Sequence, residues 1–134
     1  MMREAVIVAG TRTGVGKAVR GNTKNARSDE MMATVIQELM RQTDGKVAPE
    51  AIEDVIVGCA MPEGSQGMNF ARVVSLRAGL PVDVPAQTVN RFCSSGLQTI
   101  AMASERIIAN GDRVGPVVRF LLNSTWAVAT GYSD

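Results

Sequence analysis

Val89-Asn90-Arg91-Phe92-Cys93-Ser94-Ser95-Gly96-Leu97-Gln98 joins a short apolar strand to a helix and leaves a cysteine at the junction. The strand reads from Val84 to Val89, and the helix from about Ser94 to Asn110, stopped by Gly111. Free backbone N–H groups and the helix dipole at such a junction favour the thiolate, the nucleophilic form of a thiol. A cysteine beside a buried helix is by default a small core hydrophobe. The small Ser94 and Ser95 keep their N–H groups accessible, and Gly96 admits a close neighbour, which favours a chemical role. The residues by themselves leave both readings of Cys93 open.

Outward from this junction, strands alternate with helices. Ala5–Ala9 reads as a buried strand, followed by a Gly-, Thr-, Lys- and Arg-rich loop from Thr11 to Arg27. Ser28 or Asp29 can cap a helix whose apolar face carries Met32, Val35, Ile36, Leu39 and Met40. Asp44-Gly45-Lys46 ends it, and Pro49-Glu50-Ala51 suits a helical turn. Asp54–Cys59 is a second buried strand. A helix from about Asn69 to Ala78 follows, with Phe70, Val73, Val74 and Ala78 on one face and Gly79 and Pro81 as stops. In the last helix Leu97, Ile100, Ala101, Ser104, Ile107 and Ile108 are expected on the inner face, making it a mostly buried central helix. Val117, Val118, Phe120, Leu121 and Leu122 offer one more strand. Asn123–Asp134, which holds the sole Trp126 and Tyr132, has no clear period. The pattern predicts an α/β fold with a mostly parallel sheet and helices on both faces.

The totals narrow the function classes. With 134 residues the chain fits one domain, and 14 Lys and Arg against 13 Asp and Glu leave a net charge of +1. That balance gives no overall footprint for nucleic acid or an anionic membrane. No apolar run reaches the roughly 18 residues of a membrane span, and no signal peptide is read at the N-terminus. Two cysteines do not make a disulfide framework, so the cytoplasm is the expected compartment. Cys59, at the end of a strand, reads as core.

Two motif tests fail. Gly10-Thr11-Arg12-Thr13-Gly14-Val15-Gly16-Lys17-Ala18 resembles a phosphate loop. However, it has five residues before the Gly-Lys pair and an alanine where a magnesium-binding hydroxyl belongs. The chain contains no histidine and its cysteines are far apart, so no metal site is expected. The missing histidine also leaves a cysteine nucleophile without its usual proton-handling partner.

Asn90-Arg91-Phe92-Cys93-Ser94-Ser95-Gly96-Leu97-Gln98 resembles the nucleophile segment of thiolases of the 3-ketoacyl-CoA type. Ala5-Val6-Ile7-Val8-Ala9-Gly10-Thr11-Arg12-Thr13 is similar to that family's opening strand and loop. Gly58-Cys59-Ala60-Met61-Pro62-Glu63 and Gly67-Met68-Asn69-Phe70-Ala71-Arg72 are similar to its second strand and following helix. The resemblance implies the thiolase-like fold, of which this is a partial N-terminal half. It implies an acyltransferase in which Cys93 carries an acyl group as a thioester and its backbone N–H helps form an oxyanion hole. The implied substrates are acyl-CoA and coenzyme A, with no tightly bound cofactor and no nucleic-acid or membrane partner. The full-length family form implies a homodimer or homotetramer.

Gly14 replaces the family's usual proline, and the resemblance stops near Asp112. Residues 1–112 are therefore expected to be an incomplete thiolase N-terminal domain. Residues 113–134 are a non-matching tail, such as a shifted reading frame or a misplaced gene end produces. The coenzyme A-binding loop region, the catalytic histidines and the second cysteine have no matching positions. The implied consequence is that this chain alone is inactive. The alternatives are a non-catalytic module that pairs with another chain, or a cysteine that takes up acyl groups without histidine.

Overall fold

β2 (Val55–Gly58) is buried along its whole length and divides its side chains between two layers. Val55 and Val57, with Cys59 just beyond, enter the larger core, whereas Ile56 enters a smaller core on the opposite side. This is the period-two alternation of a strand covered on both faces. The computed structural model describes residues 4–17, 19–110, 114–121 and 124–132. Gly111, Asp112 and Leu122, at which the sequence places a helix stop, a boundary and part of a strand, lie outside them.

The larger core is filled by α1 (Ser28–Gln42) and α2 (Phe70–Arg77). Met32, Val35, Ile36 and Leu39 of α1 meet Phe70, Ala71 and Val74 of α2 there. Side chains of this size contribute about 1.5–3 kcal/mol each when buried. On the other face lies α3 (Ser95–Asn110), whose Ala103 packs with Ile56 and the partly buried Val89, Ile100 and Met102. The fold is α/β with helices on both faces of the sheet.

The sheet also contains β1 (Ala5–Arg12), β3 (Ala86–Val89), β4 (Val114–Leu121) and β5 (Ser124–Tyr132), in the order β1-β5-β4-β2-β3. β3 and β4 run parallel to β2, whereas β5 is antiparallel to both β4 and β1. Four strands therefore share one direction and β5 opposes them. The carboxyl ends of β1, β2 and β3 emerge at the same end of the sheet.

A buried carboxylate ties the layers together. Asp54 accepts hydrogen bonds from the Val55 N–H at 2.8 Å and from Gln87 Nε2 at 2.7 Å, and it pairs with Arg106 of α3. Neighbouring elements are thus held by one side chain that is fully satisfied, as a buried charge must be.

Several sequence expectations change here. β1 is not a buried strand: Ile7 is 64% exposed and Val8 is exposed as well. The strand lies at the sheet edge, pairs with β5 alone, and breaks register between Ile7 and Ala9. Neither Ser28 nor Asp29 caps α1. Arg27 occupies the cap position without a side-chain bond, and its guanidinium holds Asp29 in the first turn at 2.7 Å. Val73 faces solvent, because α2 buries the stripe Phe70, Ala71, Val74 and Ser75 instead. α3 is not mostly buried. Thr99, Ala103 and Ile107 line its inner face, while Leu97 is 65% exposed and Ala101 and Ile108 also face outward. Apolar residues fall on both sides of the helix and the polar Thr99 is buried, so the hydrophobic pattern alone does not mark the inner side. Residues 124–132, without a clear period, form a strand because β1 and β4 flank them.

Candidate active site

Cys93 sits in a 3-10 turn (Phe92–Ser94) between β3 and α3, and it is exposed. The strand-to-helix junction read from the sequence is therefore present, with the helix starting one residue later, at Ser95. β3 is fixed in front of it by α2. Asn69 Nδ2 donates to the Ala86 carbonyl at 2.9 Å, Thr88 Oγ1 donates to Asn69 Oδ1 at 2.8 Å, and the Ala71 N–H donates to Thr88 Oγ1 at 2.9 Å.

The turn itself is bonded on both sides of the cysteine. The Phe92 N–H donates to Asn90 Oδ1 at 2.9 Å, an Asx turn. The Arg91 N–H donates to Ser95 Oγ at 2.9 Å, and that hydroxyl donates to the Phe92 carbonyl at 2.6 Å. The Ser94 N–H reaches the Arg91 carbonyl at 3.0 Å, and the Ser95 N–H reaches that of Phe92. The N–H groups of residues 91, 92, 94 and 95 are all engaged. That of Cys93 has no acceptor among the described residues. The sequence predicts accessible N–H groups for Ser94 and Ser95, but the turn engages both; the bonding roles of Asn90 and of the Ser95 hydroxyl are not read from the sequence, although an Asn two residues before a turn and a Ser opening a helix are the available signals.

Phe92 adopts φ +46°, a left-handed conformation that is costly for a residue with a Cβ. Its side chain is 67% exposed, so little burial compensates for this. Phe92→Gly is expected to raise stability by up to about 1 kcal/mol in urea unfolding, because strain relief outweighs the added entropy of the unfolded glycine.

Gly58 sets how near α3 lies to the sheet. A Cβ there would stand 2.7 Å from the Ser95 carbonyl carbon and 2.9 Å from the Gly96 nitrogen. The helix start therefore rests on the strand backbone. Beside the turn, a cavity of about 280 Å³ is lined by Arg91, Ser94, Leu97, Gln98 and Ala101, with Arg91 Nη1 donating to Gln98 Oε1. Its volume falls just below the roughly 300–1,000 Å³ of small-molecule sites.

Cys59 behaves differently from Cys93. It is buried, its Sγ donates to Gln66 Oε1 at 3.1 Å, and burial pushes its thiol up from the ordinary value. No group of His, Cys, Asp and Glu suited to a metal is found among the described residues, and none of their helices is long and apolar enough to cross a membrane.

Comparison with known proteins gives consistent matches. The thiolase N-terminal domain family model matches residues 5–117. The chain is 50% identical over 107 residues to a 3-ketoacyl-CoA thiolase of Bacillus subtilis, covering 80% of this chain and 27% of the relative. It is 43% identical over 111 residues to a 3-ketoacyl-CoA thiolase of Saccharophagus degradans, covering 82% and 28% respectively. It is 40% identical over 112 residues to the peroxisomal 3-ketoacyl-CoA thiolase 1 of Arabidopsis thaliana, covering 84% and 25%. The chain thus spans about a quarter of the length of these curated relatives.

Proposed function

The chain belongs to the thiolase family, and from that premise we propose that it supplies the acyl-accepting cysteine of a 3-ketoacyl-CoA acyltransferase. The observation that carries this reading is the exposed Cys93 in a turn whose neighbouring N–H groups are all engaged while its own is free to donate. In the thiolytic direction Cys93 gives up its proton, and Sγ attacks the C3 carbonyl carbon of a 3-ketoacyl-CoA. The C2–C3 bond breaks with its electron pair on the acetyl-CoA part, which takes up a proton. The acyl group remains on Sγ until a coenzyme A thiol removes it and returns a proton to Cys93. The negative charge that develops on the carbonyl oxygen is met by the Cys93 N–H, a donor fixed before reaction begins.

The chain has no histidine to carry these protons. The 134-residue polypeptide is therefore expected to take up an acyl group once and not to turn over. Loss of members of a concerted catalytic set costs about 10³-fold or more. Steady-state thiolysis of acetoacetyl-CoA is expected at least that far below the Bacillus subtilis relative. A comparable rate would overturn the inactivity.

Exposed apolar side chains favour a second reading, a module that pairs with another chain. Leu97 and Ile108 stand on the outer face of α3, and Ile7 and Val8 on the edge strand β1. A monodisperse monomer with a cooperative melt would count against it.

A further inference from the structure

The Phe92 carbonyl and the Cys93 N–H belong to one peptide unit, and Ser95 holds that unit by its carbonyl end. The carbonyl oxygen accepts twice from Ser95, from the hydroxyl at 2.6 Å and from the backbone N–H. No cis peptide bond occurs among the described residues, so the unit is planar and trans, with its N–H directed opposite to its carbonyl. Anchoring the carbonyl on Ser95 therefore aims the Cys93 N–H away from Ser95. That N–H meets no acceptor among the described residues. The orientation is one that a residue with a Cβ disfavours, because Phe92 reaches it at φ +46°. Rotation of Phe92 to an ordinary negative φ would swing the peptide unit round and turn the Cys93 N–H with it. Phe92 is exposed, so the restraint comes from bonds at its two ends, to Asn90 Oδ1 at its N–H and to Ser95 at its carbonyl.

Ser95 is itself firmly placed. It is buried, and its backbone lies against β2, where a Cβ at Gly58 would stand 2.7 Å from the Ser95 carbonyl carbon. Its hydroxyl does not cap α3. A capping oxygen accepts from an N–H in the first turn of its own helix. This one accepts from the Arg91 N–H at 2.9 Å and donates to the Phe92 carbonyl, both ahead of Cys93 in the chain. A hydroxyl carries one proton and two lone pairs and fills both roles at once, whereas alanine fills neither.

We propose that Ser95 is a positioning residue for acyl transfer: its hydroxyl holds the Phe92–Cys93 peptide unit in the orientation that presents the Cys93 N–H to the developing oxyanion; this rests on the reading of Cys93 as an acyl acceptor. With acetyl-CoA, Cys93 Sγ bonds to the acetyl carbon and the carbonyl oxygen transiently takes a negative charge. The carbon–sulfur bond of acetyl-CoA then breaks with its electron pair on the coenzyme A sulfur, and the Cys93 proton ends there. Alkylation of Cys93 by iodoacetamide instead displaces iodide from a saturated carbon and develops no oxyanion. The two reactions share the thiol and differ in their need for the N–H.

The test compares both rates, read by intact mass, in the full 134-residue chain and in its Ser95→Ala variant. Removing one oxyanion donor outright costs about 10²–10³-fold, so leaving the donor present but unheld is expected to slow acetyl uptake about 10–100-fold and to change alkylation by less than about threefold. Equal loss in the two reactions would show a merely structural role and overturn the proposal, as would undiminished uptake in a folded Ser95→Ala chain. If that variant does not fold, amide hydrogen exchange in the unaltered chain decides. The Arg91 N–H, bonded to the Ser95 hydroxyl, is expected to exchange at least about tenfold more slowly than the Cys93 N–H. Equal exchange at the two amides would overturn the proposal. The two readings fail differently. An unaltered chain that is alkylated at Cys93 yet takes up no acetyl group removes the acyl-acceptor reading and the role of Ser95 with it. Uptake that is the same with and without the Ser95 hydroxyl removes the role of Ser95 alone.

Discussion

Cys93→Ala is expected to abolish acyl uptake from acetyl-CoA, with a drop of at least about 10³-fold in the rate of thioester formation. Intact-mass measurement should show a gain of one acetyl group in the unaltered chain and none in the variant. The contrast with Cys59 makes the result specific. Cys59 is buried against α1 and α2, its thiol is hydrogen-bonded to Gln66, and burial disfavours its thiolate. Cys59→Ala should therefore retain acyl uptake. A thiol-alkylating reagent should modify one cysteine in the folded chain and both after denaturation. Acyl groups found on Cys59, or uptake that persists in Cys93→Ala, would remove Cys93 from the reaction.

Gly58→Ala is expected to cost about 3 kcal/mol in urea unfolding and to slow acyl uptake as well. The added methyl would lie within 2.7–2.9 Å of the backbone of Ser95 and Gly96, and backbone atoms cannot swing aside as a flexible side chain can. Overpacking typically costs about 1–3 kcal/mol, and a backbone obstacle belongs at the upper end. α3 must retreat from β2, carrying with it Ser95, whose hydroxyl joins the Arg91 N–H to the Phe92 carbonyl. The turn holding Cys93 then loosens. Wild-type stability and wild-type uptake in Gly58→Ala would show that the helix start does not depend on this contact.

Much of the fold is legible in the sequence where a pattern has one physical solution. Val55, Ile56 and Val57 form a continuous apolar run because helices cover both faces of β2. Met32, Val35, Ile36 and Leu39 recur at helical spacing because α1 has one inner face. The turn at Cys93 is readable because a strand, a cysteine and small residues occur in that order. α3 is less legible: Leu97 and Ile108 are as apolar as Ile107, and periodicity cannot tell which of them is covered. The bonds that hold β3 in front of the turn are long-range, and the turn itself is unusual in conformation. Nothing near Thr88 announces Asn69, and nothing in Phe92 announces a left-handed backbone.

The sheet order has a kinetic consequence. Among the described residues β1 is paired solely with β5, more than a hundred residues away in sequence. α1, α2, β2 and β3 can assemble from segments that are closer in sequence, but β1 can be satisfied only once the distant β5 is in place. Such distant pairing slows folding, because the entropy of closing the long loop is lost before any contact compensates for it. Docking of β1 onto β5 is therefore expected as the slow step of refolding, after α1 and α2 have packed on β2.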